Sequence, residues 1–424
     1  MSLIALLATG ALSSAAHADC SAVSGISAGD TVTCDAVSVV DGPDATETRG
    51  IEDGSDQITI NVLSGATLDT TLSGERTINL KDSVDSVVTN DGAILSGDEG
   101  IQGGDGLKVT NGGMIEAVEK AIDANGDGVE VTNALGARIT SSANEGIETG
   151  DDAKILNFGT VEAFDDAIQV GEGAVIENYG IIRNTQTAAD LVGTVEAQDA
   201  IDIDSGTVRN AAGAEITSGT NAAIDFDPGA GPSLIENGGL IAGTLAVTVD
   251  ADDAADQQVV NSGTLKGSSG VALNLGMGDD AVTLAASSIV MGDILLGDDA
   301  DLLIFDGTGF AGLSTSDLYA GGDGVDKVIF ADFAETDIFD VVLSGLNVEL
   351  SLMRGGDSLA VTLSGFEQVL FGTGSTQTTL SFDALAELAA IPLPAAGLLM
   401  LGGLGLLAGT RARRRRRSLC VTLP

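Results

Sequence analysis

Residues 121–140 read AIDANGDGVEVTNALGARIT, and the fold is decided by how this stretch is divided. Ile122 and Ala124 flank Asp123, Val129 and Val131 flank Glu130, and Ile139 follows Arg138, so short runs alternate at period two, as strands do. Asn125-Gly126-Asp127-Gly128 is turn chemistry, and Asn133 with Gly136 marks a second break. Three strands of about four residues separated by turns therefore fill a period near 22, which is the size of one coil of a β-helix.

The rest of the chain repeats it. An apolar residue, a spacer and an asparagine recur at Val88-Thr89-Asn90, Val109-Thr110-Asn111, Val131-Thr132-Asn133, Ile155-Leu156-Asn157, Ile176-Glu177-Asn178, Val208-Arg209-Asn210, Ile235-Glu236-Asn237 and Val259-Val260-Asn261, each with glycine within three residues. The asparagines are 21, 22, 24, 21, 32, 27 and 24 residues apart. A second series runs out of phase: Gly100-Ile101, Ala121-Ile122, Gly146-Ile147, Ala167-Ile168, Ala200-Ile201 and Ala223-Ile224. Two coupled series at one period predict an all-β parallel β-helix, expected to be right-handed although the spacing does not fix its hand, with Ile and Val stacked inward about 4.8 Å apart. Asparagine and glycine are expected at bends, where both tolerate left-handed backbone angles. The two long intervals place extra residues at Thr185–Val195 and Asp227–Pro232, expected as loops on one face where binding occurs.

Composition agrees. The chain has 424 residues, 58 glycines, 6 prolines, 2 tyrosines and no tryptophan, a poor mix for a helical bundle. There are 63 acidic and 18 basic residues, and six of the basic ones lie in one tail cluster. So acidic a body repels nucleic acid and anionic membrane surfaces and attracts cations, calcium first. The single histidine, His17, falls in a segment expected to be removed, which excludes histidine-based nucleophilic triads and histidine-ligated zinc.

The ends carry location. Residues 1–18 read as a signal peptide without the usual positive start, cut after Ala16-His17-Ala18. Residues 19–87 are expected to form an N-terminal cap and irregular first rungs, with Cys20 and Cys34 paired in an oxidising compartment. Residues 88–275 are the regular rungs, and 276–388 are C-terminal rungs and cap, where eight of eleven phenylalanines lie between Phe305 and Phe382. Leu393 to Thr410 is uncharged for 18 residues, enough to span a bilayer as a transmembrane helix, and Arg411 with Arg413, Arg414, Arg415, Arg416 and Arg417 would stop it on the cytoplasmic side.

The module at 391–417, with Pro392, Leu393, Pro394 and Ala395 after Ile391, resembles the PEP-CTERM class of sorting tails, in its VPLPA variety. Isoleucine stands for the first valine, and Ser418–Pro424 extends past the family's usual end. The resemblance implies a Gram-negative envelope, recognition by an exosortase-type protease, and delivery to the cell surface or outside it. Residues 270–375 look like the C-terminal part of autotransporter passenger β-helices, with Gly-Asp-Asp rungs and Gly365-Phe366-Glu367. That likeness implies the passenger's shape alone, since the residues after 375 are expected to be too few for the family's barrel.

Glycine–aspartate turns make the metal candidates. Gly321-Gly322-Asp323-Gly324-Val325-Asp326 fits a calcium-binding nonapeptide, and related copies end on Asp280 and Asp301. Asp280, Asp301, Gly322, Gly324 and Asp326 are thus candidate calcium residues, read against plain β-helix turns with outward aspartates. Asp123–Gly128 begins like an EF-hand loop but reaches Ala134 where glutamate is required. Asp165, Asp166, Asp199, Asp202 and Asp204 are where a β-helical polysaccharide lyase or hydrolase would carry its carboxylates. The preferred expectation is an exported surface or matrix adhesin-like protein, not an enzyme. Its expected partners are the sorting protease, the membrane and a surface polysaccharide, with no nucleic acid. A calcium-binding secreted protein and a polysaccharide enzyme are the alternatives.

Overall fold

The computed structural model describes residues 20–21, 25–35, 37–39, 50–193, 195–228, 231–250 and 253–389. The signal segment 1–18 and the tail 391–417, with its Pro392–Ala395 motif and arginine cluster, lie outside the described residues. Among the described residues no helix is long and apolar enough to cross a membrane.

Period-two alternation in short runs gives strands too short to bury a core alone, so each pairs with its copy one repeat later. Val88, Val109, Val131 and Ile155 are in register in a first parallel sheet. Ile94, Ile115, Ile139, Val161 and Ile182 make a second column, and Ile78, Ile101, Ile122, Ile147, Ile168, Ile201 and Ile224 a third. These side chains are at most 2% exposed. The result is a parallel β-solenoid of about 12 turns, with its core along the axis. At about 4.8 Å per turn the rod is roughly 60 Å long. The stretch expected to be irregular also forms such turns: Thr31 aligns with Thr59, and Thr59 with Val87, at 28-residue spacing. Near the far end the second and third sheets merge through two 11-residue strands, Thr264–Asn274 and Ile289–Asp299.

The asparagines are not at left-handed bends. Among the described residues the non-glycine positions with positive φ are Gln57, Asp85, Asp152 and Asp299. All eight repeat asparagines close a first-sheet strand with at most 2% exposure. Each side-chain amide donates to the next asparagine: Asn90 to Asn111 at 2.8 Å, Asn111 to Asn133 and Asn133 to Asn157 at 2.9 Å, and Asn157 to Asn178 at 2.8 Å. The chain continues from Asn178 to Asn210 and Asn210 to Asn237 at 2.9 Å, and from Asn237 to Asn261 at 2.8 Å. The second amide proton goes to a second-sheet carbonyl, as from Asn157 to Ile181 at 3.0 Å. Its oxygen also takes the Gly159 N–H at 3.1 Å. An amide suits this position because it both donates and accepts, so identical residues can chain without end. The paired glycine answers to space: a Cβ on Gly180 would stand 2.0 Å from the Gly159 carbonyl oxygen.

Where the ladder stops, the same column turns apolar. Asn261 aligns with Leu284, then Phe305, Phe330 and Phe371. Phe305 stacks on Phe330 at 5.0 Å between centroids and Phe330 on Phe371 at 5.5 Å. Tyr319 and Phe310 meet Phe305 edge-on at 5.5 and 5.8 Å. Toward the start the column reads Val62 and then Cys34.

Both ends carry capping elements. Cys20 is disulfide-bonded to Cys34, and Ser21 N–H donates to the Thr33 carbonyl at 2.9 Å, covering the edge of the first strand. At the other end Thr378–Ser381 runs antiparallel on Gln368–Phe371. The antiparallel strands Ile338–Ser344, Asn347–Arg354 and Asp357–Ser364 extend the second face, and the helix Phe382–Ala389 packs there through buried Leu385. Antiparallel strands and a helix end a parallel stack without offering a further in-register edge.

Asn157→Ala leaves the Asn178 oxygen, the Ile181 carbonyl and the Gly159 N–H short of a partner, and should destabilise the rod by about 2–4 kcal/mol. Asn261→Leu, at the ladder's end and next to Leu284, should cost less than half as much. Denaturant midpoints of the two variants check the order.

Candidate functional site

The two long intervals leave from different corners. Residues 185–200 lie between Ile181–Asn184 and Ile201–Ile203, and 227–232 between Ile224–Phe226 and Ser233–Asn237. The expectation of one shared face is therefore corrected. The insertions fall in different turns of the coil, and together they border the third sheet. Buried Gln186 ties the first loop down. Its amide donates to the Glu196 carbonyl at 2.9 Å, and its oxygen accepts the Gln198 N–H at 3.2 Å and the Thr220 hydroxyl at 2.8 Å.

The third sheet between these loops is acidic. Its strands are three residues long, so one outward position repeats each turn: Gln102, Asp123, Glu148, Gln169, Asp202 and Asp225. Amides quench part of this column, Gln102 donating to Asp123 at 2.5 Å and Gln169 to Asp202 at 3.1 Å. Asp123 lies in a strand, in line with rejection of the EF-hand. Lys120 reaches Glu145 at 3.7 Å and also pairs with Glu148. Beyond that turn, among the described residues, no cation pairs with Asp166, Asp199, Asp202 or Asp225.

Asp166 and Asp199 are 6% and 7% exposed. The Asp199 N–H donates to Asp166 Oδ1 at 2.7 Å, and Asn221 Nδ2 to Asp199 Oδ2 at 3.0 Å. The Oδ1 atoms of Asp165, Asp199 and Asp225 have no hydrogen-bond partner. Burial, reinforced by neighbouring carboxylates, pushes Asp166 up to about 8 and Asp199 up to about 9. The same causes raise Asp202 and Asp225 to about 7. Asp204, closer to solvent, is raised as well. The candidate catalytic carboxylates are thus brought to one face, but the two deepest are tied to the coil backbone and to Asn221.

A second acidic column lies farther along. Gln257 N–H donates to Asp280 Oδ1 at 2.7 Å, Asp280 N–H to Asp301 Oδ1 at 2.8 Å, Asp301 N–H to Asp326 Oδ1 at 2.9 Å and Asp326 N–H to Glu367 Oε2 at 2.7 Å. Each acid caps the turn before it. Asp280, Asp301 and Asp326 are at most 1% exposed, so the reading of outward aspartates is corrected. The Oδ2 atom of each has no partner. Burial raises Asp280 to about 8 and Asp301 to about 7, and Asp326 is raised too. Gly322 and Gly324 serve close approach: a Cβ on them would stand 1.8 Å from the Gly297 oxygen and 1.6 Å from the Asp299 oxygen. The five candidate calcium residues therefore share neighbouring turns. Yet among the described residues no group of three or more acidic, cysteine or histidine side chains converges on a point where a metal could sit.

Glu367, Gln257 and Asn221 belong to these networks and escaped the sequence reading. Glu367 had a signal, since it stands in the Gly365-Phe366-Glu367 stretch, which was singled out for its likeness and not for this hydrogen bond. Compared with known proteins, the chain matches no family model, no curated protein and no solved structure.

A carboxyl whose folded pKa is raised stabilises the fold fully below its unfolded value near 4, and that contribution is lost as pH rises through the folded value. Thermal stability should therefore fall between about pH 4 and pH 9, the window set by Asp166, Asp199, Asp280 and Asp301. Asp199→Asn with Asp280→Asn should flatten the profile of Tm against pH. An unchanged slope would show that the general acidity of the surface sets it instead.

Proposed function

We propose that this chain is an exported structural or adhesin-like protein of the bacterial cell surface or matrix. In this reading it is held by its tail during sorting. One observation carries the proposal: the regular side-chain positions are given over to the rod itself, through an unbroken asparagine ladder, an aliphatic core and capped ends. Such a body presents a long repetitive surface on a stable shaft. The Cys20–Cys34 link at the first turn supports export, because such bonds persist in oxidising compartments. Pro392–Ala395, the apolar run after it and the arginine cluster support passage through a sorting protease and the inner membrane.

Fractionation tests this. Full-length protein should appear at the envelope surface, and deletion of 391–417 should move most of it to the medium or periplasm. The same distribution with and without the tail would sink the sorting role.

A second reading, calcium loading of the Asp280–Asp301–Asp326 column, is favoured by the unpartnered second oxygen on each carboxylate. Bound calcium would hold these groups ionised and relieve their repulsion. At pH 8, millimolar calcium should then raise Tm by about 5 °C in the full chain and by little in Asp301→Asn. No response to chelation would remove this reading.

A further inference from the structure

Of the six prolines in the chain, Pro228 alone follows an aspartate. An Asp–Pro bond is open to attack from within. The aspartate carboxyl can close on its own carbonyl carbon in a five-membered ring. The nitrogen that must leave belongs to a tertiary amide, which takes a proton more readily than a secondary one.

The bond lies at a corner of the coil, between Ile224–Phe226 of the third sheet and Ser233–Asn237 of the first. The Asp227 N–H donates to the Ile203 carbonyl at 3.1 Å, so the acyl side is held by the turn before it. Asp227 is half-buried and Pro228 is exposed, which admits water and lets the proline nitrogen move away. Asn221 and Gln169 hold the carboxylates of Asp199 and Asp202. Among the described residues no such hydrogen bond or ion pair engages the Asp227 carboxyl, so it is free to turn onto its own carbonyl.

Its surroundings also keep a proton on it. Burial, and then the Asp250 charge from the next turn, push Asp227 above the usual carboxylate range. Asp202 and Asp204 of the turn before, and Asp225 on the same strand, lie close enough for the Asp227 charge to raise them in turn. Among the described residues no cation pairs with any of these five acids. Asp202 and Asp225, raised to about 7, already hold protons near pH 5, which leaves Asp250 as the main charge acting on Asp227 there.

We propose that the Asp227–Pro228 bond is a self-cleavage site that opens in mild acid. A carboxyl oxygen of Asp227 attacks the Asp227 carbonyl carbon, and the carboxyl proton passes to the Pro228 nitrogen. The C–N bond breaks as the C–O bond forms, which leaves a cyclic anhydride on Asp227 and a free amine on Pro228. Water then opens the anhydride to the two carboxyls of a C-terminal aspartate.

The cut does not part the rod. Strands from the two sides of it pair in all three sheets: Gly206–Asn210 with Ser233–Asn237, Glu215–Thr217 with Leu240–Gly243, and Ile224–Phe226 with Val247–Val249. The ladder bond from Asn210 to Asn237 crosses it as well. The product is a nicked shaft of two chains. This inference stands apart from the surface-protein reading, since it uses no residue of either terminus.

The test holds the full chain near pH 5 with protease inhibitors and follows it by gel and mass spectrometry. A denaturing gel should show two fragments, the second beginning at Pro228, while a native gel keeps one species. Their appearance should be first order and independent of protein concentration. The folded chain should cut up to about tenfold faster than the same chain in urea, where an ordinary aspartate is only about one-tenth protonated at that pH. Asp227→Ala should abolish the cut, and so should Pro228→Ala, which keeps the carboxyl and gives a second check if the first variant fails to fold. An intact chain, or a cut that survives both substitutions, would overturn the proposal. Equal rates in the folded and the unfolded chain would overturn it too, since they would show the acid lability of any Asp–Pro bond and no contribution from the fold.

Discussion

A hydrogen bond between two buried asparagine side chains, repeated along the axis, is the constraint on which the shaft depends. Backbone ladders hold neighbouring strands at their spacing, but they leave register open to slippage by one residue. The asparagine cannot slip: displaced from its column it would bury an unpaired amide, at about 1–3 kcal/mol for each group left short. From Asn90 to Asn261 it fixes the strand end, the corner and the start of the second sheet together. The glycine behind it is fixed by the same closeness of turns.

The acidic columns follow from this stacking. A stacked fold copies each outward position onto its neighbour about 4.8 Å away, so a repeated acid meets a like charge at every turn. Toward the start the chain answers with cations set between acids. Arg76 meets Glu99 at 2.8 Å, and Lys120 reaches Glu145 and Glu148. Arg138 and Arg183 converge on Glu162, and Arg209 bridges Glu177 and Glu236. From Asp166 to Asp225 the third sheet lacks such a cation among the described residues, and its carboxyls take up protons more readily instead. The Asp280 column has another answer, in which each acid accepts the backbone amide of the turn before it.

The far end solves a different problem. A column of amides must stop somewhere, and its last member, Asn261, turns its amide to the Gly263 carbonyl at 3.2 Å. Leu284 and then stacked phenylalanines take over that column. Larger side chains fill the coil as the second and third sheets merge, and the antiparallel cap closes it. Stability, charge handling and termination are three consequences of one stacked geometry.

The sequence alone determined the fold class, the three strands per coil and the period. Apolar residues recur in two coupled phases, and only a stacked coil buries both. Within that pattern the asparagines were legible as fixed points, but their role was misassigned to left-handed bends. A turn asparagine and a ladder asparagine look identical in a sequence, and only the burial of Asn157 beside Asn133 and Asn178 separates them. The grouping of Asp166 with Asp199 and of Asp280 with Asp301 and Asp326 was partly visible, as acids at coil spacing. Whether those acids face water or accept amides was not, because it depends on χ angles and on the backbone of the next turn. Tertiary structure alone decided that Glu367 completes the second column and that the two loops leave from different corners. Each of these depends on contacts between turns, and sequence records only the spacing along one.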